Sequence, residues 1–213
     1  MLDRRNICPC YWHKDEIAQD GHCRCHLFVD DKYDPATAYA PVLDQSLQVA
    51  RANVRLREIT IYLTWWCPRS RRTKGLLKKY DVPCREIDIE RSRSGAQRAE
   101  RWNDGNQSVP TLDMRLVVTE PSDAALAGIF NPKARVQSLT MYTTDWCHDV
   151  RRARAFLQGR GIPYQDVDIE RDPRAAAQVE EWNQGYQSVP TLDVCLVATE
   201  PTEDELARIL CLV

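Results

Sequence analysis

The chain has 213 residues, a net charge of −2 and a pI near 6.1, so no global field draws it to nucleic acid or anionic lipid. No run of about 18 apolar residues occurs, and Met1-Leu2-Asp3-Arg4-Arg5 does not open a basic-then-apolar leader. The expectation is a cytoplasmic protein with no membrane span and no nucleic-acid partner. Nine cysteines, an odd number without a leader, read as metal ligands and redox thiols in a reducing compartment rather than as a secreted disulfide framework.

Four of those cysteines fall within the first 25 residues as two close pairs, Cys8-Pro9-Cys10 and Cys23-Arg24-Cys25. Four thiolates suit zinc or an iron–sulfur cluster, and spacing alone does not choose between them. His13, His22 and His26 read as bystanders, because four thiolates already complete a site. We assign residues 1–35 to this metal-binding module. Residues 36–56 follow as a linker and helix: Asp30 to Tyr39 is polar with Pro35, and Pro41 to Arg55 carries Leu43, Leu47 and Ala50 at helical spacing.

The remainder is one domain written twice. Trp66-Cys67 returns as Trp146-Cys147, and the run from Gln107 to Asp113 returns unchanged from Gln187 to Asp193, each 80 positions on. The two copies are placed at 57–131 and 137–213, roughly 75 residues each. In the first, Ile59 to Thr64 is β-branched and aromatic and predicts a buried strand ending just before the cysteine. Pro68 to Tyr80 predicts a helix with proline in its first turn, stopped by Asp81-Val82-Pro83. A second strand spans Arg85 to Ile89, and a second helix runs from Gly95 to Trp102. Thr111 to Thr119 is expected as two short strands, followed by a closing helix from Pro121 to Ile129.

This β-α-β-α-β-β-α order, with a cysteine where the first strand meets the first helix and Val-Pro-Thr opening the third strand, resembles glutaredoxin, a thioredoxin-fold family. The residues that carry the likeness are Tyr62, Trp66-Cys67, Asp88-Ile89-Glu90 and Asn103 to Thr111. Their counterparts are Tyr142, Trp146-Cys147, Asp168-Ile169-Glu170 and Asn183 to Thr191. Within the family, Asn-x-Gly-x-Gln-Ser-Val-Pro-Thr is most similar to the short bacterial branch that includes mycoredoxin. The fold class is therefore α/β: two tandem thioredoxin-fold, glutaredoxin-like domains behind a small Cys-rich metal-binding module.

The resemblance implies that Cys67 and Cys147 are nucleophiles at helix N-termini, where backbone N–H groups and nearby arginines favour the thiolate. It also implies cis prolines at Pro110 and Pro190, with Val109, Pro110 and Thr111, and Val189, Pro190 and Thr191, lining the extended thiol substrate. Two departures stand out. Ser70 and Val150 occupy the positions of a dithiol enzyme's second cysteine, so each site is monothiol. Thr119-Glu120-Pro121 and Thr199-Glu200-Pro201 replace the glycine pair before the last helix, leaving glutathione and another low-molecular thiol both open as co-substrate. Asp149 makes the second site the less basic one. Cys84 and Cys195 fall in predicted strands and read as small core residues, Cys211 as a tail residue in an apolar closing segment, and Trp102 and Trp182 as helix-packing residues.

The N-terminal string from Ile7 through Tyr11 and from Gly21 through Val29 is similar to the C-terminal third of the ferredoxin–thioredoxin reductase catalytic chain. That likeness implies a 4Fe–4S cluster with Cys8, Cys10 and Cys23 as ligands and a redox role for the position of Cys25. The upstream Cys-Pro-Cys of that family has no counterpart here, so Cys25 is favoured as fourth ligand; zinc is the other candidate. The function expected from both resemblances is thiol–disulfide oxidoreduction on protein disulfides or small-thiol mixed disulfides, with a ferredoxin-like electron donor. The readings set against it are a non-enzymatic iron–sulfur carrier or sensor and a zinc-stapled redox scaffold. The carrier's Cys-Gly-Phe-Ser pattern is absent from both sites.

Overall fold

The computed structural model describes residues 53–212; the cysteine module and the Leu43 to Ala50 helix expected from sequence lie outside them. The order is β1 Val54–Leu63, α1 Pro68–Lys79, β2 Arg85–Asp88, α2 Arg93–Trp102, β3 Thr111–Thr119 and α3 Asp123–Ile129. It then repeats as β4 Ala134–Thr143, α4 His148–Gly159, β5 Gln165–Asp168, α5 Pro173–Trp182, β6 Thr191–Thr199 and α6 Glu203–Ile209. Among the described residues no helix is long and apolar enough to cross a membrane.

The local chemistry follows the sequence closely. Pro68 enters α1 at its first turn, where a missing N–H costs nothing, and Lys78 and Lys79 lie at its carbonyl end. Ser92, Asp172 and Thr202 cap α2, α5 and α6, the last through a capping box with Glu205. The first repeat buries the inner half of its first strand, Ile59 to Leu63, with Ile61 at 0 % exposure, and the second buries Leu139, Met141 and Thr143 of its own. Fully burying an Ile or Leu stabilises by about 1.5–3 kcal/mol, so this strand and its neighbours Leu112 and Leu116 form the anchor of the first repeat.

Two expectations change. Thr111–Thr119 is one continuous strand of nine residues, as is Thr191–Thr199. Between Leu112 and Val118 the only turn-forming side chain is Asp113, and Met114, Leu116, Val117 and Val118 are all buried, so nothing there reverses the chain. In addition, β1 begins at Val54 rather than Ile59, because Val54 to Leu56 pair with Val118 to Leu116 along the lengthened β3. A shift in register between Leu56 and Glu58 absorbs the mismatch.

The six strands lie in the order β2-β1-β3-β6-β4-β5. β1 runs parallel to β2 and antiparallel to β3, and β4 runs parallel to β5. The straight β3 and β6 have a consequence for assembly, since each carries the end of its own repeat beyond the point where a hairpin would have returned it. The compact units accordingly mix the repeats. One comprises residues 54–118, 122–139 and 193–213; the other includes 119–121 and 140–192. Within the first unit, α6 of the second repeat packs on α1 and on α3 of the first. The α3–α6 approach is close enough that a Cβ on Gly128 would lie 2.8 Å from the Arg208 carbonyl oxygen, which makes glycine the residue that fits there.

Candidate functional site

Cys67 is the N-cap residue of α1, with extended backbone (φ −67°, ψ 120°), and its carbonyl accepts the first helical bond from Arg71 N–H at 3.2 Å. Its Sγ lies 3.7 Å from the Val109 carbonyl oxygen, immediately before the cis Val109–Pro110 bond. The second copy matches in geometry: Cys147 is the N-cap of α4, its Sγ lies 3.5 Å from the Val189 carbonyl, and Val189–Pro190 is cis. The structure thus brings Cys67 to the Val109–Pro110 bond and Cys147 to the Val189–Pro190 bond, with Thr111 and Thr191 next in the chain. Cys8, Cys10, Cys23 and Cys25 lie outside the described residues. Among the described residues no group of three or more His, Cys, Asp or Glu is arranged to hold a metal ion.

The long motif before each proline is a hydrogen-bonded brace. Asn103 Nδ2 donates to Thr111 Oγ1 at 2.9 Å, and that hydroxyl donates to the Ser108 carbonyl at 2.8 Å, so the loop's shape is fixed from both ends. Gln107 is tied to Glu100. Asn183, Thr191, Ser188, Gln187 and Glu180 repeat the pattern in the second copy. Thr111 and Thr191 are fully buried, which makes their side chains part of the loop's frame. Trp66 lies outside, half exposed, with Nε1 donating to Glu90 at 2.9 Å. Trp102 and Trp182 pack edge-on to Tyr62 and Tyr142.

The last wall of each site comes from the other repeat. Glu200 N–H donates to the Pro110 carbonyl at 2.8 Å, Thr199 Oγ1 donates to Asn103 Oδ1, and Glu200 pairs with Arg69 at 2.5 Å. Reciprocally, Glu120 N–H donates to the Pro190 carbonyl at 2.8 Å, Thr119 Oγ1 donates to Asn183 at 2.5 Å, and Arg152 donates to the Pro121 carbonyl at 2.8 Å. Both glutamates hold φ near +48°, a conformation that glycine adopts more easily. Glu200, Thr202 and Glu203 also line, with Arg69, Arg72 and Lys133, a cleft of ≈ 550 Å³ beside the first site. Sequence reading recognises these Thr-Glu-Pro residues only as a replacement for glycines, and Asn103 and Asn183 only as part of a motif.

The two cysteines differ electrostatically. Burial pushes the Cys67 thiol up, but the Ser70 hydroxyl and the N–H groups of Ser70 and Arg69 outweigh it, so the thiol titrates below the ordinary cysteine value even though Glu200 opposes them. Burial also pushes Cys147 up; the N–H groups of Val150 and Asp149 fall short, and the carboxylates of Asp149 and Glu120 add to the rise. Glu200→Gln removes one opposing charge, so the pH midpoint for Cys67 alkylation is expected to fall, by less than about one unit because the carboxylate is over a third exposed; an unchanged or raised midpoint contradicts that role. Of the other cysteines, Cys84 precedes β2 rather than lying in it and is half-buried, Cys195 lies in β6, and Cys211 is buried with its thiol pushed to about 11.

The glutaredoxin family model matches residues 59–114 and again 139–194, together more than half of the chain. The chain belongs to the glutaredoxin family. Two Mycobacterium tuberculosis proteins, from strains CDC 1551 and H37Rv and provisionally named as glutaredoxins, are each 38 % identical to it over 71 residues, which is 32 % of this chain and 84 % of theirs. Among solved structures, an alkylhydroperoxide reductase component from Enterococcus faecalis, carrying a cysteine-to-alanine substitution, aligns over 80 % of this chain and 98 % of its own at 16 % identity, with a TM-score of 0.23. The glutaredoxin match covers both cysteine sites and both cis prolines. It makes the protein a tandem glutaredoxin with thiol oxidoreductase chemistry in general.

Proposed function

We propose that the tandem glutaredoxin is a monothiol thiol–disulfide oxidoreductase whose working nucleophile is Cys67. The single observation behind this reading is Cys67 itself: an N-capping sulfur beside the cis Val109–Pro110 bond, with its thiol held below the ordinary value. The thiol loses its proton to solvent, and the thiolate attacks one sulfur of a disulfide. A new S–S bond forms as the old one breaks, and the displaced sulfur leaves as a thiolate. With Ser70 where a second cysteine would stand, a small thiol must resolve the mixed disulfide, so the substrates are small-thiol mixed disulfides and protein disulfides that meet such a thiol. The backbone at Val109 provides the rail for an extended substrate.

The cysteines at 8, 10, 23 and 25 are proposed as the ligands of a 4Fe–4S cluster, on the strength of a donor set of four soft thiolates in close pairs. Such a cluster, when bound, supplies single electrons from a ferredoxin-like donor. Iron and sulfide in the purified protein, absent after Cys8→Ser, support this assignment; one zinc and no iron contradict it. The cytoplasm is the proposed compartment.

The exchange reading is tested by reduction of a small-thiol mixed disulfide by the full chain and by the variant carrying both Cys67→Ser and Cys147→Ser. Loss of exchange in the double variant is expected. Retention of full activity overturns the proposal.

A further inference from the structure

The two sites have the same backbone and differ at one buried position in the first turn of the helix. Three residues after Cys67 stands Ser70, and three after Cys147 stands Val150; each is about 1 % exposed. A residue three positions into a helix turns its side chain back toward the N-cap, which here is the reactive cysteine. Ser70 Oγ is buried and has no hydrogen-bond partner among the described residues. Buried hydroxyls are rarely left so, and the acceptor one turn back, at the N-cap, is the Cys67 sulfur. A neutral thiol accepts weakly, whereas a thiolate accepts strongly, so the hydroxyl finds its partner only once Cys67 has ionised.

The second site lacks this donor. Cys147 belongs to an apolar cluster with Val150, Ile169, Ala175, Ala176, Val179 and Val189. We propose that Ser70 is the hydrogen-bond donor that holds Cys67 as thiolate, and that Val150, whose side chain has no donor, leaves Cys147 a resting thiol, so the tandem carries one working site and one held in reserve. This rests on Cys67 being the exchange nucleophile.

Charge alone does not explain the difference. Around Cys67 lie Arg69, whose guanidinium pairs with Glu200; Arg71, which donates to the Trp66 carbonyl; and Arg72 in the adjoining cleft. Around Cys147 lie His148, Asp149, Arg151, Arg152 and Glu120, with Arg152 reaching both Asp149 and the Pro121 carbonyl. Arginines thus accompany both cysteines, although the second has two opposing carboxylates against one. Changing residues 70 and 150 alone separates the hydroxyl's effect from these charges.

The experiment is alkylation of the full chain by iodoacetamide across pH, with the rate at each cysteine followed by peptide mass spectrometry. The wild type is expected to show a lower midpoint at Cys67 than at Cys147. Ser70→Ala raises the Cys67 midpoint by about one pH unit, the scale of a hydrogen bond to a charged group, and Ser70→Thr, which keeps the hydroxyl, largely preserves it. Val150→Ser lowers the Cys147 midpoint. An unmoved midpoint in Ser70→Ala, or an equal rise in Ser70→Ala and Ser70→Thr, overturns the proposal. Because alkylation needs no exchange substrate, this outcome is independent of whether Cys67→Ser abolishes exchange.

Discussion

A chain ending at Leu192 is expected to lose the folded structure of the first repeat, not only of the second. The residues removed include Val194, Leu196, Val197, Leu206 and Ile209, each 2 % exposed or less, and they belong to the same compact unit as residues 54–118. At about 1.5–3 kcal/mol for each buried side chain, the loss is on the order of 10 kcal/mol, comparable with the whole stability of a small domain. The cut also strips β3 of its neighbour β6 and exposes a strand edge in the middle of the sheet. Hydrogen exchange at Ile59 to Leu63 is the readout. Loss of protection there in the shortened chain is the expected result; protection equal to that of the full chain means that the first repeat folds by itself and that the exchange of ends between repeats is not structural.

The second large effect is catalytic and asymmetric. Cys67→Ser is expected to lower exchange with a small-thiol mixed disulfide near neutral pH by roughly a thousand-fold or more, since it removes the attacking sulfur itself. Cys147→Ser is expected to leave most of the activity. The sign with pH follows from the shifts. Cys67 is held below the ordinary value, so at a given pH more of it is thiolate than of an ordinary cysteine, and the rate rises through that lowered midpoint and then levels. Burial holds Cys147 above it, so its contribution grows in at higher pH than that of Cys67. A Cys67→Ser variant with a residual rate that climbs only at alkaline pH, and loses that climb when Cys147 is also replaced, fits this division. Equal losses from the two single variants at neutral pH contradict it.

Much of the site is legible in the amino-acid order. The 80-residue offset fixes the correspondence of Cys67 with Cys147 and of Pro110 with Pro190, and a β-branched run meeting a Trp-Cys-Pro helix start places each sulfur at a helix N-terminus. The straight β3 departs from the expected pair of short strands, although its signal is present: past Asp113 the segment Met114 to Val118 has no residue that favours a turn. The family's hairpin pattern masks that local signal. The crossing of the repeats is not legible at all. Thr-Glu-Pro stands at both 119–121 and 199–201, so the sequence is the same whether each loop completes its own site or the other's, and only the direction of a strand too long to fold back decides. Ser70 reads in sequence as a missing cysteine; that its hydroxyl is buried without a hydrogen-bond partner among the described residues depends on packing that spacing does not encode.

The most direct measurement is to trap the intermediate. The reduced protein is mixed near neutral pH with a small-thiol disulfide, quenched with acid within seconds, and mapped by mass spectrometry without reduction. The small thiol disulfide-bonded to Cys67, with little on Cys147, Cys84, Cys195 or Cys211, is the predicted result. A small thiol found first on Cys147, or on none of the repeat cysteines, contradicts the assignment of Cys67 as the working nucleophile.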